Sequence, residues 1–157
     1  MCQFATIQFD TGFRPEETMR FRWENIMWNM GRNGAIRNLF GKTAAARRVL
    51  PMSPRVRAIL EARYKKAGKP SDGWVFPAKT KCGHINGSSI DRQHARAFAN
   101  IEEYVAKHGG KPVEPFVMYS ARHTFLTRLG CSRGPNGEAL CDVWTLARVG
   151  MTKLSRK

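Results

Sequence analysis

The amino-acid sequence predicts a mainly helical α+β domain in which a small three-stranded antiparallel sheet sits on a helical core. Three observations carry that expectation. Apolar residues recur at helical spacing in stretches that open at Ser53, at Ser88 or Ser89, and at Ser120. Between Arg22 and Met52 the pattern changes to strand-like alternation, interrupted by two turn-forming stretches. A chain of 157 residues, 42% of them apolar and 25% charged, is long enough for one domain with a core and too apolar to be disordered.

Charge narrows the function classes before any motif is read. The chain carries 27 Lys and Arg against 12 Asp and Glu, a formal net charge of +15. Repulsion among so many cations opposes folding unless a polyanion neutralises them, which makes nucleic acid the leading partner. A membrane surface fits less well, because no basic helix has a clean apolar opposite face. A basic RNA scaffold remains an alternative. The four cysteines, Cys2, Cys82, Cys131 and Cys141, show no CxxC spacing and no paired histidines at ligand distance, so a structural zinc site is not expected; no cofactor is expected either. Reduced thiols, no leader before the first helical pattern and no apolar run of membrane-spanning length together predict a cytoplasmic protein.

The elements follow in order. Met1 to Phe9 is short and apolar, with Phe4, Ile7 and Phe9 already core-like; the abrupt start implies an upstream portion. Thr11-Gly12-Phe13-Arg14-Pro15 reads as a glycine turn entering a helix with proline at its first position. Glu16 and Glu17 complement the dipole of that helix. Arg14 and Glu17 are either a positioned pair or an ordinary surface ion pair of little energetic weight.

Arg22 to Trp28 alternates as a first strand, Ala35 to Phe40 forms a second and Arg47 to Met52 a third. The tip of the second hairpin carries Lys42. Ser53 and Pro54 open a helix to about Lys66 with Val56, Ile59, Leu60 and Tyr64 or Arg63 on successive turns. The loop from Ala78 to Gly87 holds Lys79, Lys81 and His84, the histidine read as a loop brace before a phosphate contact. In the longest helix, to His108, Ile90, His94, Ala97, Phe98, Ile101 and Val105 form one stripe expected to pack into the core. A last helix follows Asp142, and residues 151–157 lack periodicity and are expected to fray, which makes residues 1–150 the domain. Apolar surface is expected to stay exposed at Phe4, Ile7 and Val149.

Tyr119 to Gly130, reading YSARHTFLTRLG, is the stretch with the most chemistry. Arg122 lies one turn before Phe125 and Leu126, too close to the apolar face to be simply solvated. Two roles stay open for it: a buried arginine paired with a carboxylate, or a phosphate site.

Four segments in one order, TGFRPEE around Arg14, GKTAAARRVLPM around Lys42, YSARHTF around Arg122 and DVWTLARVG at the end, make the chain resemble the catalytic domain of tyrosine recombinases, the phage integrase family. The resemblance runs from Thr11 to Gly150. It implies a metal-free phosphoryl transfer from DNA to a tyrosine hydroxyl, through a 3′-phosphotyrosyl intermediate. It implies that Arg14 and Arg122 clamp the scissile phosphate, and that Lys42 protonates the leaving 5′ oxygen. Glu17 would orient Arg14 or its helix, and His123 would help brace the helix of Arg122. Arg47, Lys79, Lys81 and His84 are the further expected contacts to double-stranded DNA, on which other recombinase subunits would assemble.

Two departures qualify the resemblance. Tyr119 stands where the family most often has histidine, and no tyrosine follows LARVG to act as nucleophile. The implied protein is a recombinase catalytic domain that is truncated at its end, lacks the family's amino-terminal DNA-clamping domain and is inactive alone. A non-catalytic DNA-binding or regulatory remnant is the alternative.

Overall fold

The chain opens with a helix rather than with a short apolar segment. In the structure, a computed structural model that describes residues 2–40 and 47–150, helix α1 spans Cys2–Thr11. Its inward stripe is Phe4, Ile7, Gln8 and Thr11, the i, i+3, i+4, i+7 spacing of one helical face. Half of that stripe is polar, which hides the period from a hydrophobicity count. Phe4 and Ile7 are buried, against the expectation that they stay exposed, because α1 packs on helices α3 (Pro54–Lys66) and α5 (Ser120–Cys131) and Phe4 meets the Phe76 ring edge-on at 5.5 Å.

After α1 the chain turns at Gly12 and enters the short helix α2, Pro15–Met19. The sheet follows, with β1 (Ile26–Met27), β2 (Ala35–Asn38) and β3 (Arg48–Pro51) side by side and antiparallel, as expected. Ile36 faces Ile26 on one side and Leu50 on the other, which puts three apolar side chains in one row over the core. The first strand is shorter than the alternation suggests. Trp23–Asn25 is a 3-10 turn, and Trp23, Asn25 and Ile26 all face inward, which strict alternation does not allow. The second strand stops at Asn38, whose side-chain amide donates to Phe40 O at 2.8 Å and whose Oδ1 accepts from Phe40 N at 3.3 Å; a side chain that bonds the backbone two residues on replaces the ladder. The hairpin tip bearing Lys42 lies outside the described residues, as does the tail 151–157.

Ser53 caps α3, accepting from Val56 N at 3.1 Å, and its hydroxyl donates to Asp10 at 2.6 Å, which fixes α3 to the end of α1. Val56 and Leu60 reach the core; Ile59 and Tyr64 pack at its edge. Val75 and Phe76 are threaded beneath, held where Val75 N donates to Phe21 O at 2.9 Å.

Helix α4, Gly87–His108, is capped by Asn86 rather than by Ser88 or Ser89, with Ser89 N donating to Asn86 Oδ1 at 2.9 Å. Its apolar stripe does not enter the core as expected. Ile90 alone is buried, while Ile101 and Tyr104 are 39% and 62% exposed. Beyond Ile90 the helix leaves the body, and His94 and Phe98 are met by Phe116 of the following segment at 5.0 and 5.3 Å. Helix α5 then returns against α1, and α6 (Val143–Gly150) packs on α5, with Val149 at the edge of the core rather than fully open. Among the described residues no helix is long and apolar enough to cross a membrane, and no cluster of three or more His, Cys, Asp or Glu could hold a metal ion.

The contrast between α3 and α4 is measurable. Leu60→Ala should lower the unfolding free energy by about 2–5 kcal/mol, and Ile101→Ala by less than about 1 kcal/mol, in urea melts of the two variants. Equal losses would show that the α4 stripe is a core face after all.

Candidate functional site

Gly12 sets the geometry of the site. Its backbone has φ +65°, and a Cβ there would lie 2.3 Å from the Phe125 ring, so both conformation and space demand glycine. The turn buries Phe13 and presents Arg14 at the entrance of α2. Arg14 N donates to Glu17 Oε2 at 2.8 Å and Arg14 Nη1 to Glu17 Oε1 at 3.2 Å.

This is no surface ion pair. Glu17 is 5% exposed, and a second guanidinium holds it from the sheet: Arg48 Nη1 and Nη2 donate to the two carboxylate oxygens at 3.2 and 3.0 Å. Arg48 also lies over the Phe13 ring, 4.9 Å from its centroid. Burial by itself would raise the Glu17 pKa. The hydrogen bonds from Arg48 and from the Arg14 backbone, and the charges of both guanidiniums, outweigh burial and hold it below the ordinary value of 4.5.

Arg122 comes to the same place from α5. It is 3% exposed, and its two terminal nitrogens donate to the carbonyls of Gly12 and Gly150. The sequence reading offered a carboxylate or a phosphate as partner; within the described chain the partners are two backbone carbonyls, one at each end of the domain. Burial lowers the Arg122 pKa, the nearby charges of Arg14 and Arg48 lower it further, and Glu17 acts in the opposite sense. Arg14 and Arg122 therefore share one electrostatic neighbourhood. A guanidinium has five N–H donors, so two carbonyls do not exhaust Arg122.

Tyr119 completes the cluster at the start of α5. Arg14 is buried enough to lose some hydration, yet its hydrogen bond to the Tyr119 side chain and the charge of Glu17 raise its pKa overall. His123 is exposed and rests on the Tyr119 ring, 5.2 Å between centroids. That contact ties His123 to the residue that opens α5.

The remaining expected residues fall elsewhere. Lys42 lies outside the described residues, although β3, which leaves its hairpin, carries Arg48 into the cluster. Arg47 is exposed. Its neighbour Arg48 is the residue the sequence reading missed, and the signal was available: Leu50 is buried, and strand alternation places Arg48 on the same face. Lys79 and Lys81 are exposed and form none of the hydrogen bonds of the cluster. His84 is held within its loop: Nδ1 lies 2.6 Å from Ile85 O, the ring meets Trp74 at 4.6 Å, and Thr80 donates to His84 O at 2.6 Å.

Comparison with known proteins follows this geometry. The family model described as the phage integrase family matches residues 3–136. The integrase of the Tn1549 transposon, solved in complex with circular intermediate DNA, superimposes with a TM-score of 0.65 at 18% identity, covering 96% of this chain and 51% of that one. A variant of the same integrase with another circular intermediate DNA gives 0.63 at 16% identity, over 94% and 49%. A further variant, bound to transposon right end DNA, gives 0.62 at 19%, also over 94% and 49%. At these identities the similarity establishes the fold, and the chain spans about half the length of the structures it matches. No curated protein matches it.

Two predictions belong to this cluster. Arg122→Ala removes charged donors from two buried carbonyls and should cost about 2–4 kcal/mol of stability in chemical denaturation; an unchanged midpoint would mean that Arg122 does not hold the two glycines. Glu17→Gln addresses the carboxylate. A carboxyl whose folded pKa is depressed stabilises fully above its unfolded value near 4.5, and that stability is lost as pH falls through the folded value. The gap in stability between the native chain and Glu17→Gln should be about 3–5 kcal/mol at pH 7 and should narrow steadily below pH 4.5. A gap independent of pH would contradict the charged bridge.

Proposed function

The chain belongs to the phage integrase family, and from that premise we propose that its arginine cluster clamps a backbone phosphate of duplex DNA as part of site-specific recombination or integration. The observation that carries this reading is the charge arrangement: Arg14, Arg48 and Arg122 gather around one buried carboxylate, Glu17. Positive charge is left in excess there, and a phosphodiester is the anion a +15 chain would meet in this setting.

The division of labour follows from exposure. Arg14, with about a third of its side chain accessible, would take a non-bridging oxygen directly. Arg122, fixed from behind by Gly12 and Gly150, would present its remaining donors with little reorganisation, which is what stabilising a growing negative charge requires. Tyr119 would supply a hydroxyl donor where the family most often has histidine, with His123 behind it. Glu17 and Arg48 position Arg14 and tie the hairpin to it. Lys42 is the candidate general acid for the leaving 5′ oxygen. Arg47, Lys79 and Lys81 would add phosphate contacts outside the cluster.

The chain's three tyrosines are Tyr64, Tyr104 and Tyr119. Tyr64 packs between Trp23 and Trp28, each ring 5.3 Å away, Tyr104 stacks on His108 at the outer end of α4, and Tyr119 is committed to Arg14. These contacts support the reading that none of the three is the attacking group and that the 157-residue chain alone would bind and clamp DNA without cutting it. Residues 1–150 would form this catalytic-type domain, acting in the cytoplasm, with further recombinase subunits assembling on the DNA. The lack of an attacking tyrosine equally favours a second reading, a non-catalytic DNA-binding or regulatory form that competes with an intact integrase for its sites.

Binding to duplex DNA should weaken steeply with salt. Arg14→Ala should reduce the magnitude of the log–log salt slope by about one and the affinity by roughly tenfold. On a nicked suicide duplex the chain should yield no covalent adduct. Salt-independent binding would remove the phosphate reading, and an adduct mapped to Tyr119 would make that residue a nucleophile rather than a donor.

A further inference from the structure

The segment that joins α5 to α6 is a small hairpin with a cysteine at each foot. Arg133 and Ala139 form an antiparallel bridge; Leu140 N donates to Ser132 O at 3.1 Å and Gly134 N to Glu138 O at 2.8 Å. Pairs 134/138 and 132/140 thus carry one bond each, and 133/139 lies between them. Carried one step further outward, past the bonded residues, this register would set Cys131, the last helical residue of α5, opposite Cys141. In an antiparallel ladder that position is of the non-hydrogen-bonded kind, where Cα atoms approach to about 4.5 Å and side chains are nearest. A disulfide spans Cα separations of about 4.4–6.8 Å.

From this register we propose that Cys131 and Cys141 are a redox clasp, closing to a disulfide across the base of the α5–α6 loop. Both are free thiols; Cys131 is exposed, and Cys141 is half-buried with its Sγ 3.5 Å from Asp142 O. Cys131 is the last residue of α5, and Ser132, whose N still donates to Leu129 O at 3.3 Å, turns extended immediately after it, so the hairpin starts directly beyond the cysteine. Cys2 and Cys82 are also exposed, but they lie on the first turn of α1 and in the 78–87 loop, where the described residues form no such paired feet. The clasp would join the two helices that hold Arg122, since α5 carries its side chain and the Gly150 carbonyl ends α6.

The chemistry balances with glutathione disulfide as oxidant. One cysteine thiolate attacks a sulfur of the reagent, breaking its S–S bond, forming a mixed disulfide and releasing one glutathione thiolate. The second cysteine thiolate then attacks the protein sulfur of the mixed disulfide and expels the other glutathione. The protein loses two protons and two electrons; the electrons reduce the reagent's S–S bond and the protons end on the two glutathione thiols.

The test uses the full chain treated with glutathione disulfide, digested with trypsin without reduction and analysed by mass spectrometry. Cleavage after Arg128, Arg133 and Arg148 puts the two cysteines on different peptides, 129–133 and 134–148. The expected product is these two peptides joined, two hydrogens lighter than their sum, with a melting temperature raised by roughly 5–10 °C and restored by dithiothreitol. Cys131→Ser should abolish both changes. A stable glutathione adduct on Cys131 or Cys141, or cross-links that instead engage Cys2 or Cys82, would overturn the clasp, as would a joined pair with no rise in melting temperature. None of these readouts involves DNA, so they stand apart from the phosphate reading.

Discussion

A buried carboxylate between two guanidiniums is the constraint on which the rest of this structure depends. Glu17 takes Arg14 from the entrance of α2 and Arg48 from the sheet, and its charge also bears on Arg122 from α5. Without it, three cations from three different elements would be pressed together at low dielectric, where repulsion is weakly screened. With it, the cluster is held but not neutralised. The same residue thereby stabilises the fold and leaves the cluster with net positive charge.

The backbone serves the cluster as much as the side chains do. Arg122 grips the carbonyl of Gly12, two residues before Arg14, and the carbonyl of Gly150 at the end of α6. Position 12 cannot carry a Cβ because Phe125, one turn after Arg122, fills that space. The start of the chain, its α5 helix and its last described helix are therefore fixed by one arginine and one glycine. Carbonyl partners satisfy the donors of a buried arginine without neutralising its charge, so Arg122 adds a third cation to the cluster.

How much was legible follows from the same residues. The three-stranded sheet, the Ser53 cap with α3 behind it and the pairing of Arg14 with Glu17 all follow from local spacing, and local spacing survives folding. Helix α1 was missed because two of its four inward residues, Gln8 and Thr11, are polar. The α4 stripe was misassigned because periodicity shows that a helix has an apolar face without showing that anything covers it. Arg48 was passed over for Arg47, although one step of strand alternation from Leu50 separates them. The carbonyl partners of Arg122 were beyond reach, since a backbone oxygen leaves no mark in residue type. Placing Lys42 with the arginines rests on the resemblance alone.

The most direct test is a crystal structure of the chain soaked with tungstate, a phosphate analogue whose heavy atom is located by anomalous scattering. The account predicts one strong site, its oxygens within about 2.7–3.2 Å of nitrogens from both Arg14 and Arg122. Tungstate bound only at exposed lysines such as Lys79 and Lys81, with the arginine cluster empty, would contradict it.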